Sequence, residues 1–178
     1  MPFLTLDAAC PRGYSVRMFK VILPGTFDPP TNGHLNILLR ASRMFDAVEV
    51  VIAANPGKAQ LFSPDERHHM VKSLAQGLPN VGVSIWDGLI VDFADRIGVH
   101  IILRGVRALA DFDYEFELSL MNRTLNPKIE TIFIPTDQKY SILRSSGIKE
   151  VAKFGGDVSG MVPPLVAEAL KRKFGSGG

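Results

Sequence analysis

Gly25-Thr26-Phe27-Asp28-Pro29-Pro30-Thr31-Asn32-Gly33-His34 stands between two apolar segments of different character. Before it, Val21-Ile22-Leu23 reads as a short buried strand. After it, Leu35-Asn36-Ile37-Leu38-Leu39-Arg40 reads as the body of a helix. A strand that empties through a glycine-rich turn into a helix points free backbone N–H groups at whatever sits there. The helix dipole adds partial positive charge at the same place. The pattern predicts an anion site, and phosphate is the natural anion. Thr26 brings a hydroxyl, and His34 brings an imidazole in the first helical turn. Taken singly, Gly25 and Gly33 could serve tight turns, Asn32 could be a helix N-cap, and His34 an ordinary surface histidine. Ten residues in this order argue for a site.

Composition bounds the function. The chain has 178 residues, 46% hydrophobic and 21% charged, enough apolar material for one globular domain with a sizeable core. A formal net charge of +2 makes no electrostatic case for nucleic acid. No apolar run approaches the ~20 residues of a membrane helix. The single cysteine, Cys10, excludes an intrachain disulfide and fits a reducing cytoplasm. The four histidines show no zinc-ligand spacing, and His68-His69 are adjacent, so a helix would point them apart. Residues 1–17 carry no sustained period and hold Asp7 within their short apolar part, unlike a secretory signal. They are expected to be a disordered extension before a domain over 18–174, with a flexible glycine-rich tail at 175–178.

Strands and helices alternate along that domain. Strands are expected at Lys20–Leu23, Val48–Ala54, Val81–Trp86, His100–Leu103 and Thr131–Ile134. Helices are expected over about 33–45, from Ser63, over about 89–97, over about 111–125, from about Ser145 and from about Pro163. Ser63-Pro64-Asp65-Glu66 carries a capping box with proline at the first helical position. Five apolar strands joined by helices imply an α/β fold, a doubly wound, Rossmann-like parallel sheet with helices on both faces. Ligands in such sheets bind beyond the carboxyl ends of the strands, where strand order reverses.

The chemistry-bearing residues obey that rule. After strand two comes Asn55-Pro56-Gly57-Lys58, where Lys58 is either a solvated loop lysine or a mobile cation for a phosphate. After strand four comes Arg104-Gly105-Val106-Arg107. Its arginines can clamp phosphates, or can pair with Asp111 or Asp113. After strand five, Tyr140-Ser141-Ile142-Leu143-Arg144-Ser145-Ser146 leads into a helix. Its start is a second anion site, with Ser145 or Ser146 as N-cap.

The opening motif resembles the signature of the nucleotidyltransferase superfamily. Together with Arg104-Gly105-Val106-Arg107, Asp111-Phe112-Asp113-Tyr114-Glu115, Met121-Asn122-Arg123 and Tyr140-Ser141 through Ser145-Ser146 with Lys149-Glu150-Val151, it resembles the phosphopantetheine adenylyltransferase family of bacterial coenzyme A synthesis. The resemblance runs from Met18 to about Phe174. It implies transfer of an adenylyl group from ATP to 4′-phosphopantetheine, giving dephospho-coenzyme A and pyrophosphate. It places Thr26, Phe27, Gly105, Val106, Arg107, Glu115 and Tyr140 to Ser146 against ATP. Thr26, Lys58 and Arg104 fall near the pantetheine phosphate, Ile90 lines the pantetheine pocket, and His34 serves the reacting phosphate. Thr26, His34 and Lys58 form the implied catalytic set. The resemblance further implies Mg²⁺ carried on the nucleotide rather than a protein metal site, a homohexamer and a cytoplasmic location. Arg144 departs from the family, which has a serine there.

The implied nucleophile is a phosphate already ionised at neutral pH, so no general base is required. The motifs supply cations and N–H donors, which suits catalysis by positioning and charge stabilisation. Two other readings remain at this level. One is a different nucleotidyltransferase, such as one acting on nicotinate mononucleotide, against which the Arg104–Glu115 block argues. The other is a nucleotide-binding module without catalysis, which would have no need of a transition-state donor.

Overall fold

The computed structural model describes residues 18–54 and 59–175. The expected extension over 1–17, Cys10, Lys58 and the last three tail residues lie outside the described residues. The strands are β1 (Lys20–Gly25), β2 (Ala47–Ala53), β3 (Val81–Trp86), β4 (Ile101–Val106) and β5 (Glu130–Pro135). The helices are α1 (Asn32–Met44), α2 (Pro64–Leu74), α3 (Ile90–Arg96), α4 (Leu109–Leu125), α5 (Ser145–Lys153) and α6 (Pro164–Phe174). A single turn of 3₁₀ helix covers Gln138–Tyr140.

All strand pairs are parallel, in the order β3-β2-β1-β4-β5. The chain therefore winds outward in one direction from β1, returns, and winds outward in the other. β1 and β4 flank the switch point.

Alternation along β1 and β2 divides the apolar residues between the two faces of the sheet. Val21, Leu23, Val48, Val50 and Ile52 pack with Ile37, Leu38 and Ala41 of α1 and Val71 of α2. Ile22, Val51 and Ile102 point the other way, into Val91, Phe93 and Ala94 of α3. A third cluster joins α5 and α6 to Phe62 and Met70, centred on Ile148, Val162, Val166 and Leu170. Sheet and helix types are as expected from the sequence; the differences lie at the boundaries.

The largest boundary difference is at β4. The strand does not stop at Leu103 but runs through Val106, so Arg104, Gly105 and Val106 are strand residues rather than loop residues. Pairing to β5, with Gly105 opposite Ile134 and Val106 opposite Pro135, outweighs the turn-like composition of Arg-Gly. Gly105 has a packing role: a Cβ there would come within 3.0 Å of Ile37 on α1, so glycine lets that helix lie close on the strand. α3 stops at Arg96, with Gly98 beyond it at φ +65°, a backbone region that glycine enters without strain.

The helix starts bring two corrections. The N-cap of α1 is Thr31 and not Asn32. The N-cap of α5 is Arg144, with no side-chain cap bond, whereas Ser145 or Ser146 was expected. The Ser145 hydroxyl instead donates to the Pro29 carbonyl at 2.9 Å, a contact between residues 116 apart that no local pattern shows. At α2, Ser63 caps and Glu66 closes the box, as the sequence predicts.

Candidate functional site

A cleft of about 650 Å³ opens at the carboxyl ends of β1 and β4, on the switch point. The β1–α1 loop forms one wall. β4, the first turns of α4 and the start of α5 form the other.

The loop is built around two tightly fitted rings. Phe27 sits at φ +50°, and its ring lies over Gly25, where a Cβ would approach it to 2.7 Å. The same ring meets the His34 imidazole at a centroid distance of 5.0 Å.

His34 occupies the third position of α1 and completes a capping box. The Thr31 N–H donates to His34 Nδ1 at 3.0 Å, while the His34 N–H donates to Thr31 Oγ1 at 3.3 Å. Histidine here takes the place of the usual Glu or Gln. Because Nδ1 accepts, the proton of the neutral ring resides on Nε2. Desolvation, with the positive charges of Arg107 and Arg104 acting in the same direction, lowers the His34 pKa from 6.5 to about 4. The ring is thus a neutral N–H donor at physiological pH, fixed in tautomer by its own helix cap.

The cations of the cleft are already matched to carboxylates. Arg104 makes a two-point fork to Glu115, Nε and Nη2 each at 2.6 Å, and its Nη1 donates to the Pro24 carbonyl at 2.7 Å. Arg107 pairs with Asp111 at 2.9 Å and donates to the Leu143 carbonyl at 2.9 Å. Arg144 reaches to 4.0 Å of the same Asp111. Lys149 pairs with Asp28 at 2.7 Å. Both arginines are paired in the structure, Arg107 with Asp111, one of the two expected carboxylates, and Arg104 with Glu115 rather than Asp111 or Asp113. The pairs sit in the cleft wall rather than on an outer surface. Of the described lining residues, Arg104, Arg107, Arg144 and Lys149 face Asp28, Asp111 and Glu115, a net excess of one positive charge.

Most expected site residues converge. Thr26, Phe27, His34, Arg104, Gly105, Arg107, Glu115, Leu143, Arg144, Ser145 and Ser146 all line the cleft. Four do not. Val106 ends β4 and accepts the Thr136 N–H at 2.8 Å. Tyr140 packs on the α5–α6 cluster. The Ser141 hydroxyl donates to Gln138, and Ile142 is 83% exposed. Ile90 lines a smaller adjoining cavity of about 260 Å³, together with Leu118 and Asn122 of α4. Thr26, Arg104 and Glu115 line both cavities and stand between them.

Three residues without a role in the sequence reading hold the site together. Asp28 is 5% exposed and accepts from the N–H groups of Phe62 and Leu61 as well as from Lys149. Burial raises its pKa, but Lys149 and these two N–H donors outweigh burial, and the value falls below the ordinary 3.8. Arg67 on α2 is fully buried. It donates to the carbonyls of Thr26 at 2.6 Å, Ala53 at 3.0 Å and Phe62 at 3.1 Å. It bolts the β1–α1 loop to the end of β2. Its signal in the sequence was helical spacing, since Arg67 shares a face with Met70 and Val71. Lys149 follows Ser145 by four residues, on the same face of α5.

Known proteins share this architecture and much of the sequence. A family model described as cytidylyltransferase-like matches residues 22–151. The phosphopantetheine adenylyltransferase of Dictyoglomus turgidum is 47% identical over 157 residues, covering 88% of this chain and 98% of that protein. The chain belongs to the phosphopantetheine adenylyltransferase family. The Clostridium tetani member is 48% identical over 152 residues, covering 85% of this chain and 95% of its own length. A solved structure of Plasmodium falciparum nicotinic acid mononucleotide adenylyltransferase, complexed with NaAD, superposes with a TM-score of 0.65. It covers 89% of this chain and 96% of that chain at 16% identity, a likeness of fold alone.

Proposed function

We propose that the cleft catalyses reversible transfer of the adenylyl group of ATP to 4′-phosphopantetheine, giving dephospho-coenzyme A and pyrophosphate. The observation that carries this reading is sequence identity near 47% along almost the whole length of relatives with that name. It favours this acceptor over nicotinate mononucleotide, since the nicotinate-type neighbour shares the fold at 16% identity.

A phosphate oxygen of the acceptor attacks the α-phosphorus of ATP, the bond from that phosphorus to the bridging oxygen of the β-phosphate breaks, and pyrophosphate leaves. The acceptor oxygen is ionised already, so no proton moves. His34 suits this reaction as a neutral Nε2–H donor to the oxygens where charge builds, and it needs to gain or lose nothing. Arg104 and Lys58 hold the acceptor phosphate, with Thr26 beside them. The cavity beside Ile90 takes the pantetheine arm, entering past Arg104. ATP lies against Phe27, Gly105, Arg107, Glu115 and the segment from Leu143 to Ser146, its phosphates at the start of α5.

Mg²⁺ is proposed as the companion of the triphosphate. Asp28, Asp111 and Glu115 are each tied to a cation, so they do not form a ligand set, and the ion would arrive on the nucleotide. It would offset phosphate charge that a net excess of one cation cannot. Assembly into a homohexamer is proposed from the family. It is supported by Leu120, Met121 and Leu125 of α4, which are 52%, 53% and 59% exposed. The cytoplasm is the proposed compartment; no helix among the described residues is long and apolar enough to cross a membrane.

The deciding assay is pyrophosphate release from ATP with 4′-phosphopantetheine, nicotinate mononucleotide or no acceptor. Release with phosphopantetheine alone is expected. Release with nicotinate mononucleotide, or with neither acceptor, would refute the reading.

A further inference from the structure

We infer that Asp137 and Asn36 are positioning residues for the adenylyl-bearing substrates, seating the segment between β5 and α5 on the helix that carries His34, an inference that rests on the adenylyl-transfer reading above. Neither residue lines the cleft, so both act through that segment. Asn36 Nδ2 donates to Asp137 Oδ2 at 2.9 Å, and the Asp137 N–H donates back to Asn36 Oδ1 at 3.4 Å. Two contacts between the same two residues fix direction as well as distance. Arg40, one turn further along α1, donates from Nη1 to the Pro135 carbonyl at 2.6 Å and faces Asp137 Oδ1 at 3.6 Å.

This clasp lies beside the start of α1. Gly33 precedes Asn36 by three residues, on the same face of the helix. A Cβ on Gly33 would stand 3.6 Å from Tyr140 and 3.7 Å from Thr136, so the segment runs in contact with the helical turn that holds His34. Backbone bonds carry the seating forward. The Tyr140 N–H donates to the Asp137 carbonyl at 2.8 Å, and the Leu143 N–H to the Tyr140 carbonyl at 3.0 Å. Two consecutive turns thus couple Asp137 to Leu143, which lines the cleft together with Thr136.

The rest of the site is fastened separately. The Ser145 hydroxyl on the Pro29 carbonyl holds the start of α5, where the phosphates rest in the proposed reaction. Thr26 and Arg104, beside the acceptor phosphate, stand on the β1–α1 loop and on β4. The clasp therefore bears on the nucleoside end, which lies toward Arg107 and Leu143 once the phosphates are at α5. Its stabilising effect is small, because the Arg40 and Asp137 side chains are 36% and 47% exposed. What it supplies is position, and a displacement of ~1 Å between reacting groups costs about 10²-fold in rate.

The test compares three variants with wild-type protein in both directions of the reaction. Asp137→Ala should raise KM about tenfold for ATP and for dephospho-coenzyme A, which share the adenylyl group. KM for phosphopantetheine and for pyrophosphate should stay within about threefold, and the melting temperature close to that of wild type. Asn36→Asp sets two carboxylates face to face and should impair use of the same two substrates. Adding Asp137→Asn to it rebuilds the amide–carboxylate pair with the roles exchanged, and the carboxylate then precedes Arg40 by four residues on α1. That double variant should return both KM values to within about threefold of wild type. Unchanged KM for ATP in Asp137→Ala, equal changes for all four substrates, or a double variant no better than Asn36→Asp would overturn the inference. Calorimetric titration with α,β-methylene-ATP reads nucleotide binding without any acceptor, and the variants should rank there in the same order. Equal affinities in all four proteins would overturn the inference as well. If wild-type protein releases no pyrophosphate with phosphopantetheine, the functional reading fails instead, and the titration still tests the clasp by itself.

Discussion

Lowering the pH should cost this protein stability through His34, by an amount the structure sets. The group titrates at about 4 in the folded chain against 6.5 for an ordinary histidine. Between those values the unfolded chain binds a proton that the folded chain refuses. The contribution of His34 is therefore fully present above pH 6.5 and is lost as pH falls from 6.5 toward 4. The difference between the two values corresponds to about 3 kcal/mol at its full extent. The physical cause is desolvation of the ring, with repulsion from Arg107 and Arg104 added; a protonated ring would also lose the Thr31 N–H on Nδ1 and with it the α1 capping box. Urea unfolding of wild-type protein and His34→Gln at pH 7.5 and pH 4.5 checks this. Asp28 and other carboxylates act alike in both proteins, so the difference in pH dependence belongs to His34. Wild type should lose more stability than the variant over that interval, by roughly 2–3 kcal/mol. NMR of the imidazole should find it neutral at pH 6 with the proton on Nε2. Equal pH slopes, or an imidazole titrating near 6.5, would refute the capping argument and with it the neutral-donor role. At pH 7.5 the loss of the ring N–H in His34→Ala should lower kcat by about 10²–10³-fold.

Arg144→Ser should raise the melting temperature and move the KM for ATP by less than about tenfold. Arg144 is 61% exposed with its carboxylate partner at 4.0 Å, a geometry worth ~0–1 kcal/mol, whereas a serine N-cap on α5 adds ~0.5–2 kcal/mol; a larger KM rise would make Arg144 a true phosphate ligand. Gly25→Ala should destabilise the chain by ~1–3 kcal/mol and impair turnover, since its Cβ would press on the Phe27 ring that backs His34; a variant with wild-type melting temperature and kcat would contradict the close fit. Asp28→Asn should cost ~1.5–3 kcal/mol at neutral pH by weakening charge-assisted bonds to Lys149 and the Phe62 and Leu61 amides. The Asp28 pKa lies below 3.8, so its contribution is present above that value and lost as pH falls through it. The stability gap between wild type and Asp28→Asn, followed by denaturant melts, should accordingly close in strong acid and stay constant from pH 6 to 8.

Local order was legible in the sequence because it rests on local rules. Apolar runs of strand length, the Ser63–Glu66 capping box and the glycine-rich turn before His34 set the alternation of elements. Alternation of that kind leaves a parallel, doubly wound sheet as the economical solution. The motif positions followed, since a ligand in such a sheet has one place to bind. The tertiary structure alone decided how the charges pair and what the histidine is. Arg104 meets Glu115 because β4 runs on to Val106 and α4 crosses beside it, an outcome of strand pairing that the Arg-Gly composition conceals. Arg67 reads as a surface cation until α2 lays it against the Thr26 and Ala53 carbonyls, and burial converts it into a bolt. Ser145 reads as a cap until a partner 116 residues away takes its hydroxyl. His34 is a histidine near a helix start in any reading. Its neutrality and its Nε2–H tautomer come from desolvation, from the Thr31 N–H and from two arginines brought in by β4 and the loop after it. Spacing along a chain fixes which residues can share a face, but charge state depends on what is nearby in space, and folding brings those neighbours from distant parts of the sequence.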